Sequence, residues 1–302
     1  MNITIAVRYS WAIVPRKSRH TPPADAIWQS EISHLASMTA SRPILLGMMH
    51  IDRWIELASD SLEIAGRYWE ARSAGKTMRS YSILCSQWIS IVRSIQTLNG
   101  HGRVGPAMAL MRSLYECTDL MVFLALEPAQ SEYWSKYLGA DPGSADQKEG
   151  RKRFSWSTVR KNIRRAGGSS TPERVVRELN QAVHPSEWGT RFYGIHVPGA
   201  NAIGISAGVK FNAQTTNQTI RYVYSVLPTP VDTFLTQSDH YNIKKSDTRK
   251  IRNAHDSLLK YWEGHKWITE RLLDVMAELD RRVASGEKSE TVMADIESRY
   301  AE

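Results

Sequence analysis

Apolar residues recur at intervals of three and four along most of this chain, the spacing of helices that bury one face. From Ile51, the set Trp54, Leu57, Ala58, Leu62, Ala65, Tyr68 and Trp69 makes one such stripe, with Gly75 following as a stop signal. Tyr81, Leu84, Cys85, Trp88, Val92, Ile95 and Leu98 make the next, which closes at Asn99-Gly100, a pair suited to a C-terminal cap. Gly105-Pro106 then opens a third helix, with proline tolerated in the first turn. Its sequence, AMALMRSLYECTDLMVFLAL, is apolar nearly all round, which predicts a place at the centre of a bundle. Ahead of these, Ile27, Trp28, Ile32, Leu35 and Ala36 suit an amphipathic helix over 24–40, after Pro22-Pro23. Residues 1–23 are expected to form a poorly ordered segment or a short strand.

The second half is less regular. Residues 139–150, GADPGSADQKEG, read as a turn-rich loop. Ser157 to Ala166 fit a short basic helix, broken by Gly167-Gly168-Ser169-Ser170. Thr171-Pro172-Glu173 restarts a helix, with threonine as cap and proline in its first turn, running to about Val183 and stopping at His184-Pro185. Residues 191–211 are glycine-rich with β-branched positions and predict an irregular stretch or short hairpin. Ile251, Ala254, Leu258, Tyr261, His265, Ile268, Leu272, Val275 and Leu279 predict a long C-terminal helix, ended by Gly286. So long a stripe needs an equally long partner, inside the fold or across a homodimer. The whole reads as an all-α helical bundle: one helical domain over 24–286 and a tail helix over 287–302.

Composition narrows the picture. The chain has 302 residues, 42% of them hydrophobic, enough to bury a core. Ten tryptophans suggest large rings filling the space between helices. Cys85 and Cys117 each fall inside an apolar helical stripe and read as small core residues in a reducing, cytoplasmic compartment. With two cysteines and no C-x2-C pair, a four-cysteine zinc site is excluded, and no metal or cofactor is expected. The apolar run from Gly105 to Leu126 has bilayer length, but Arg112, Glu116 and Asp119 in its middle would cost several kcal/mol there, which favours a buried helix and no membrane partner. The formal charge is +8. Residues 148–177 hold ten Lys or Arg against Glu149 and Glu173, a local excess equal to that of the whole chain. Such a concentration marks either a solvated face or a surface for phosphate, RNA sooner than DNA, with Phe154 and Trp156 placed to stack on bases.

Two constellations carry candidate chemistry. Arg112, Glu116 and Asp119 are spaced by four and three, so they share one face of the central helix, either as an internal ion pair plus a third group or as the polar wall of a cleft. Arg177 and His184 are two helical turns apart, with Asn180 between them on the same face. An imidazole that moves a proton beside a guanidinium that neutralises phosphate suits phosphodiester cleavage; the plain alternative is a histidine capping a helix beside a surface arginine. No phosphate-binding loop, serine-hydrolase elbow or zinc-protease motif is present.

The stretch Met111-Arg112-Ser113-Leu114-Tyr115-Glu116 resembles the R-S-L-x-E helix of a broad group of bacterial helical proteins. Leu179-Asn180-Gln181-Ala182-Val183-His184-Pro185-Ser186 resembles that group's second motif, a small polar residue four before V-H-P. The group is similar to HEPN-type proteins, and the likeness spans roughly residues 50–280. It implies a helical fold in a toxin or phage-defence setting and a metal-independent endoribonuclease activity, formed at a dimer interface by an arginine and a histidine. Arg177 and His184 match the upper limit of that spacing. HEPN ribonucleases usually place Asn, Asp or His directly after the arginine; here it is Glu178, and Asn180 comes two later. That departure makes Arg177 secondary and opens a pairing of His184 with Arg112 and Glu116 through space. The expected site is therefore His184, Arg112, Glu116, Asn180 and Arg177, fed by the basic segment 148–177. The rival expectation is a non-catalytic scaffold or regulator in which the Arg112, Glu116 and His184 set is a structural polar network.

Overall fold

A computed structural model describes residues 5–8, 42–71, 73–183, 195–196, 203–206, 213–260 and a few positions between 278 and 295. The fold is mostly α-helical. Helix α1 spans Arg42–Gly66, α2 Gly75–Gly100 and α3 Val104–Leu126. Short helices follow: α4 Gln130–Leu138, α5 Ala145–Arg153, α6 Trp156–Arg165 and α7 Glu173–Val183. Then come α8 Ala213–Tyr224, α9 Thr229–His240 and the helix α10 over 245–260.

The apolar stripes explain who packs on whom. Helix α3 lies in the middle, against α2 most extensively and also against α6, α7, α8 and α9, while α1 closes the far side of α2. Its Met108, Met111 and Leu114 are completely buried, as its all-round apolar sequence predicts. Trp54, Trp88 and Trp134 fill interhelical space, each no more than 3% exposed. The cysteines are small enough to let helices approach: the Cys85 thiol donates to the Ala58 carbonyl of α1 at 3.6 Å, and Cys117 to the Leu84 carbonyl of α2 at 3.3 Å. Burial pushes the Cys85 thiol up to about 11 and the Cys117 thiol up to about 12.

Helix boundaries follow local chemistry. Gly75 begins α2 instead of merely ending α1, because any Cβ there would strike the Trp69 carbonyl where the chain doubles back. The predicted break after the basic helix is real: Gly167 takes φ +79, and Gly168 N–H returns to the Ile163 carbonyl at 2.9 Å. The loop expected over 139–150 holds instead the start of α5, a correction to the sequence reading. Ser144 caps that helix by accepting from Gln147 N–H, Asp146 sits in its first turn, and Arg151, Lys152 and Arg153 in its last, all favourable to the helix dipole. Only Gly150 of that helix is buried, so no apolar stripe announced it.

The hairpin expected over 191–211 is present as β2 (Ile195–His196) antiparallel to β3 (Ile203–Ser206). The N-terminal stretch supplies β1 (Ile5–Arg8), parallel to β3, giving the order β1-β3-β2. Near the C-terminus, Gly286 has φ +99 just past helical residues 281–282, consistent with its expected role as terminator. The helix expected over 24–40 and most of the C-terminal stripe beyond residue 260 lie outside the described residues.

Candidate nucleic-acid interface

The three charged groups of α3 divide into two sets. Arg112 Nε donates to Glu116 Oε1 at 2.8 Å, and both side chains remain about two-fifths open to solvent, at 38% and 39%. This is the i,i+4 pair allowed for by the spacing. At that exposure it stabilises a helix by about 0.3–0.5 kcal/mol, too little to lock the bundle's register. Asp119 turns inward and is 3% exposed. It accepts from the Trp156 indole N–H at 2.6 Å and from the Thr171 backbone N–H at 3.0 Å.

Those two bonds fix the basic segment to the core, because Trp156 opens α6 and Thr171 lies just before α7. Arg160 completes the joint. It is 4% exposed; its Nε donates to the Thr171 carbonyl at 3.1 Å, and its terminal nitrogen pairs with Glu173 at 2.7 Å. Its guanidinium also lies 5.7 Å from the Trp156 ring centroid. The Arg160 hydrogen bond holds the Glu173 carboxyl below its ordinary range. Nothing in the apolar periodicity marked Asp119, Trp156 and Arg160 as one network. The only signal was an acid embedded in an apolar helix, which demands partners.

The outer side of the segment is different. On α6, Val159 and Ile163 face inward, and Lys161, Arg164 and Arg165 are exposed. Helix α5 adds exposed Lys148, Arg151 and Lys152, and α7 adds exposed Arg177. None of these seven forms an ion pair among the described residues, although Arg164 and Arg177 lie near enough to Glu173, and Arg177 to Glu178, to help lower those carboxyls; Arg153, Arg160 and Arg174 are paired to Glu149, Glu173 and Glu178. The two aromatics of the run are engaged in packing. Trp156 is held by Asp119, and Phe154 stacks on Tyr137 at 6.0 Å and leans on Phe123 at 6.4 Å. Both rings are half-buried, so each keeps some surface open to solvent.

Beyond Arg177, α7 is tied to α8. Glu178 accepts from the Tyr222 hydroxyl and from Arg174 Nε at 2.8 Å. Partial burial pushes its carboxyl up, but these donors outweigh that and leave it below the ordinary range. Tyr115 of α3 joins them by donating to the Tyr222 carbonyl at 2.9 Å; burial raises its phenol to about 12. The acid directly after Arg177 is thus a structural joint between α7, α8 and α3. Asn180 lies about one turn beyond Arg177 on α7, with its Oδ1 buried and without a hydrogen-bond partner among the described residues. His184 lies outside the described residues, so α7 brings Arg177 and Asn180 to that end, and Arg112 and Glu116 are placed by α3.

His255 of α10 escaped the sequence reading, although it falls four after Ile251 in the same stripe. It is 7% exposed, with Nε2 2.8 Å from Asp232 Oδ1 of α9 and Nδ1 3.2 Å from Asp256 Oδ1. Its ring meets Trp54 of α1 edge-on at 5.6 Å. The Asp232 hydrogen bond leads the effects that raise its proton affinity, outweighing burial.

Among the described residues no group of three or more His, Cys, Asp or Glu could hold a metal ion, and no helix is long and apolar enough to cross a membrane. No protein-family model matches the chain, and neither a curated protein nor a solved structure matches it.

Proposed function

We propose that this chain is an RNA-binding helical protein whose phosphate-contacting face is the outer side of α5, α6 and α7. The observation that carries the reading is the division of labour within residues 148–177: buried Arg160 and half-buried Trp156 anchor the segment, while seven exposed cations form no ion pair among the described residues. A cationic face fixed to a rigid core supplies sequence-independent phosphate affinity that falls with salt. If all seven engaged a single strand, the slope of log affinity against log salt would approach about −5.

The test is fluorescence anisotropy of a labelled RNA from 50 to 200 mM salt, with wild type and the triple variant K161Q/R164Q/R165Q. We expect the variant to bind at least tenfold more weakly and with a shallower salt slope. Equal binding and equal slope would refute the interface.

A second reading adds cleavage: a HEPN-like, metal-independent endoribonuclease with His184 as proton carrier, Arg112 or Arg177 holding the phosphate, and Glu116 and Asn180 orienting them. It is favoured by the partial solvent exposure of the Arg112–Glu116 pair and by the Asn180 oxygen, buried without a hydrogen-bond partner among the described residues and four positions before His184 in sequence. RNA turnover in chelator by wild type but not by His184→Ala is the expected result. Equal turnover by both would end it.

A further inference from the structure

We infer that Tyr133 of α4 is a base-stacking platform, which makes the ligand of the basic face a single-stranded nucleic acid with an unpaired base beside its phosphates. The inference rests on the RNA-binding reading above and sharpens it.

With Trp156 and Phe154 engaged in packing, the exposed aromatic beside the basic segment is contributed by its neighbour α4, which packs on α5. Tyr133 is 47% exposed, although the same helix buries Trp134 at 3%. A cation is fixed over the ring: the Arg153 guanidinium carbon lies 4.2 Å from its centroid. Arg153 is not free to wander, since Glu149 accepts from it at 2.9 Å and Gln130 at 3.1 Å. Lys136 approaches the ring as well, at 5.9 Å. The exposed cations Arg151 and Lys152 directly precede Arg153 on α5.

A half-open phenol ring flanked by cations has what a nucleotide of a single strand needs. Arg153 covers one face of the ring, the solvent-open remainder offers the base a stacking surface, and the adjacent charges offer contacts for the phosphates on either side. A duplex cannot use the ring, because its bases are already stacked on one another. Stacking on one aromatic is worth about 5- to 150-fold in affinity by alanine substitution.

The experiment measures binding of wild type, Tyr133→Ala and Tyr133→Phe to a fluorescent single-stranded RNA, the same sequence as DNA, and the corresponding duplex. Circular dichroism serves as the folding check. We expect Tyr133→Ala to lose at least fivefold on the single strands and less than twofold on the duplex, with Tyr133→Phe within about threefold of wild type throughout. Whichever single strand binds more tightly identifies the source of the base. If Tyr133→Ala merely displaced Arg153, single strand and duplex would weaken together, and the platform would be refuted. Wild-type binding that is salt-dependent but indifferent to Tyr133→Ala would also refute the platform while leaving the basic face standing. Wild type that binds no oligonucleotide would remove both.

Discussion

Replacing Asp119 by alanine should both destabilise this protein and weaken its hold on RNA, although the change makes the chain one unit more positive than its +8. The carboxylate is 3% exposed and accepts two hydrogen bonds, from Trp156 Nε1 at 2.6 Å and Thr171 N at 3.0 Å. Hydrogen bonds to a charged acceptor contribute about 1.5–3 kcal/mol each, and removing the acceptor strands the Thr171 N–H in a buried site. Relief of the carboxylate's own desolvation offsets part of this. We take a net loss of about 3 kcal/mol, which for a chain of this size corresponds to a fall in Tm of about 6 °C. Asp119→Asn keeps the shape and one accepting oxygen, so it should lose about half as much. Differential scanning fluorimetry measures the stability, and anisotropy with labelled RNA measures the binding. Charge alone predicts tighter binding by Asp119→Ala; displacement of α6 and of the loop into α7 predicts weaker binding. A Tm shift below about 2 °C, or tighter binding, would show that Asp119 does not anchor the basic face.

Other outcomes follow from the same structure. The proton affinity of His255 is raised by its carboxylate partners, so its contribution to stability is fully present below its ordinary value of about 6.5 and is lost as pH rises through the higher folded value. Urea melts across that window should show a pH slope in wild type that is absent in His255→Gln; an unchanged slope would count against the pairing with Asp232 and Asp256. Gly150→Ala should destabilise by about 1–3 kcal/mol, read as a lower urea midpoint, because a Cβ there would overlap the Tyr137 ring that Phe154 stacks upon. Cys85 and Cys117, with thiols raised to about 11 and about 12, should resist alkylation in the native protein and react after unfolding; rapid labelling of either at neutral pH in the folded state would contradict their burial.

Apolar stripes made α1 and α2 legible because each buries one face, the all-round apolar α3 announced its own central place, and start and stop signals at Thr171-Pro172-Glu173 and His184-Pro185 made α7 legible. Helix α5 was illegible for the opposite reason: it buries only Gly150 and is held by a cap and by charge arranged along its dipole. At the candidate site, the Arg112–Glu116 pair followed from its i,i+4 spacing. Asp119 shares their strip of α3 but serves a different purpose, because its partners arrive from positions 37 and 52 residues away. Local periodicity cannot see such contacts. Nor could it tell which aromatics of the basic run were spoken for: Trp156 and Phe154 sit among lysines and arginines in sequence, yet both pack half-buried against the core.

The Asp119–Thr171 bond also shapes what can be built on this scaffold. It joins residues 52 apart, so the stretch carrying α4, α5 and α6 departs from α3 and returns to it, with α4 resting on α2 on the way. The tip around Asp141, Pro142 and Gly143 is exposed, and its glycine adopts φ +83. Lengthening a loop adds closure entropy only logarithmically. That apex is therefore a port for a grafted tag or reporter domain, attached beside the anchored cationic face without passing strain to the helices beneath.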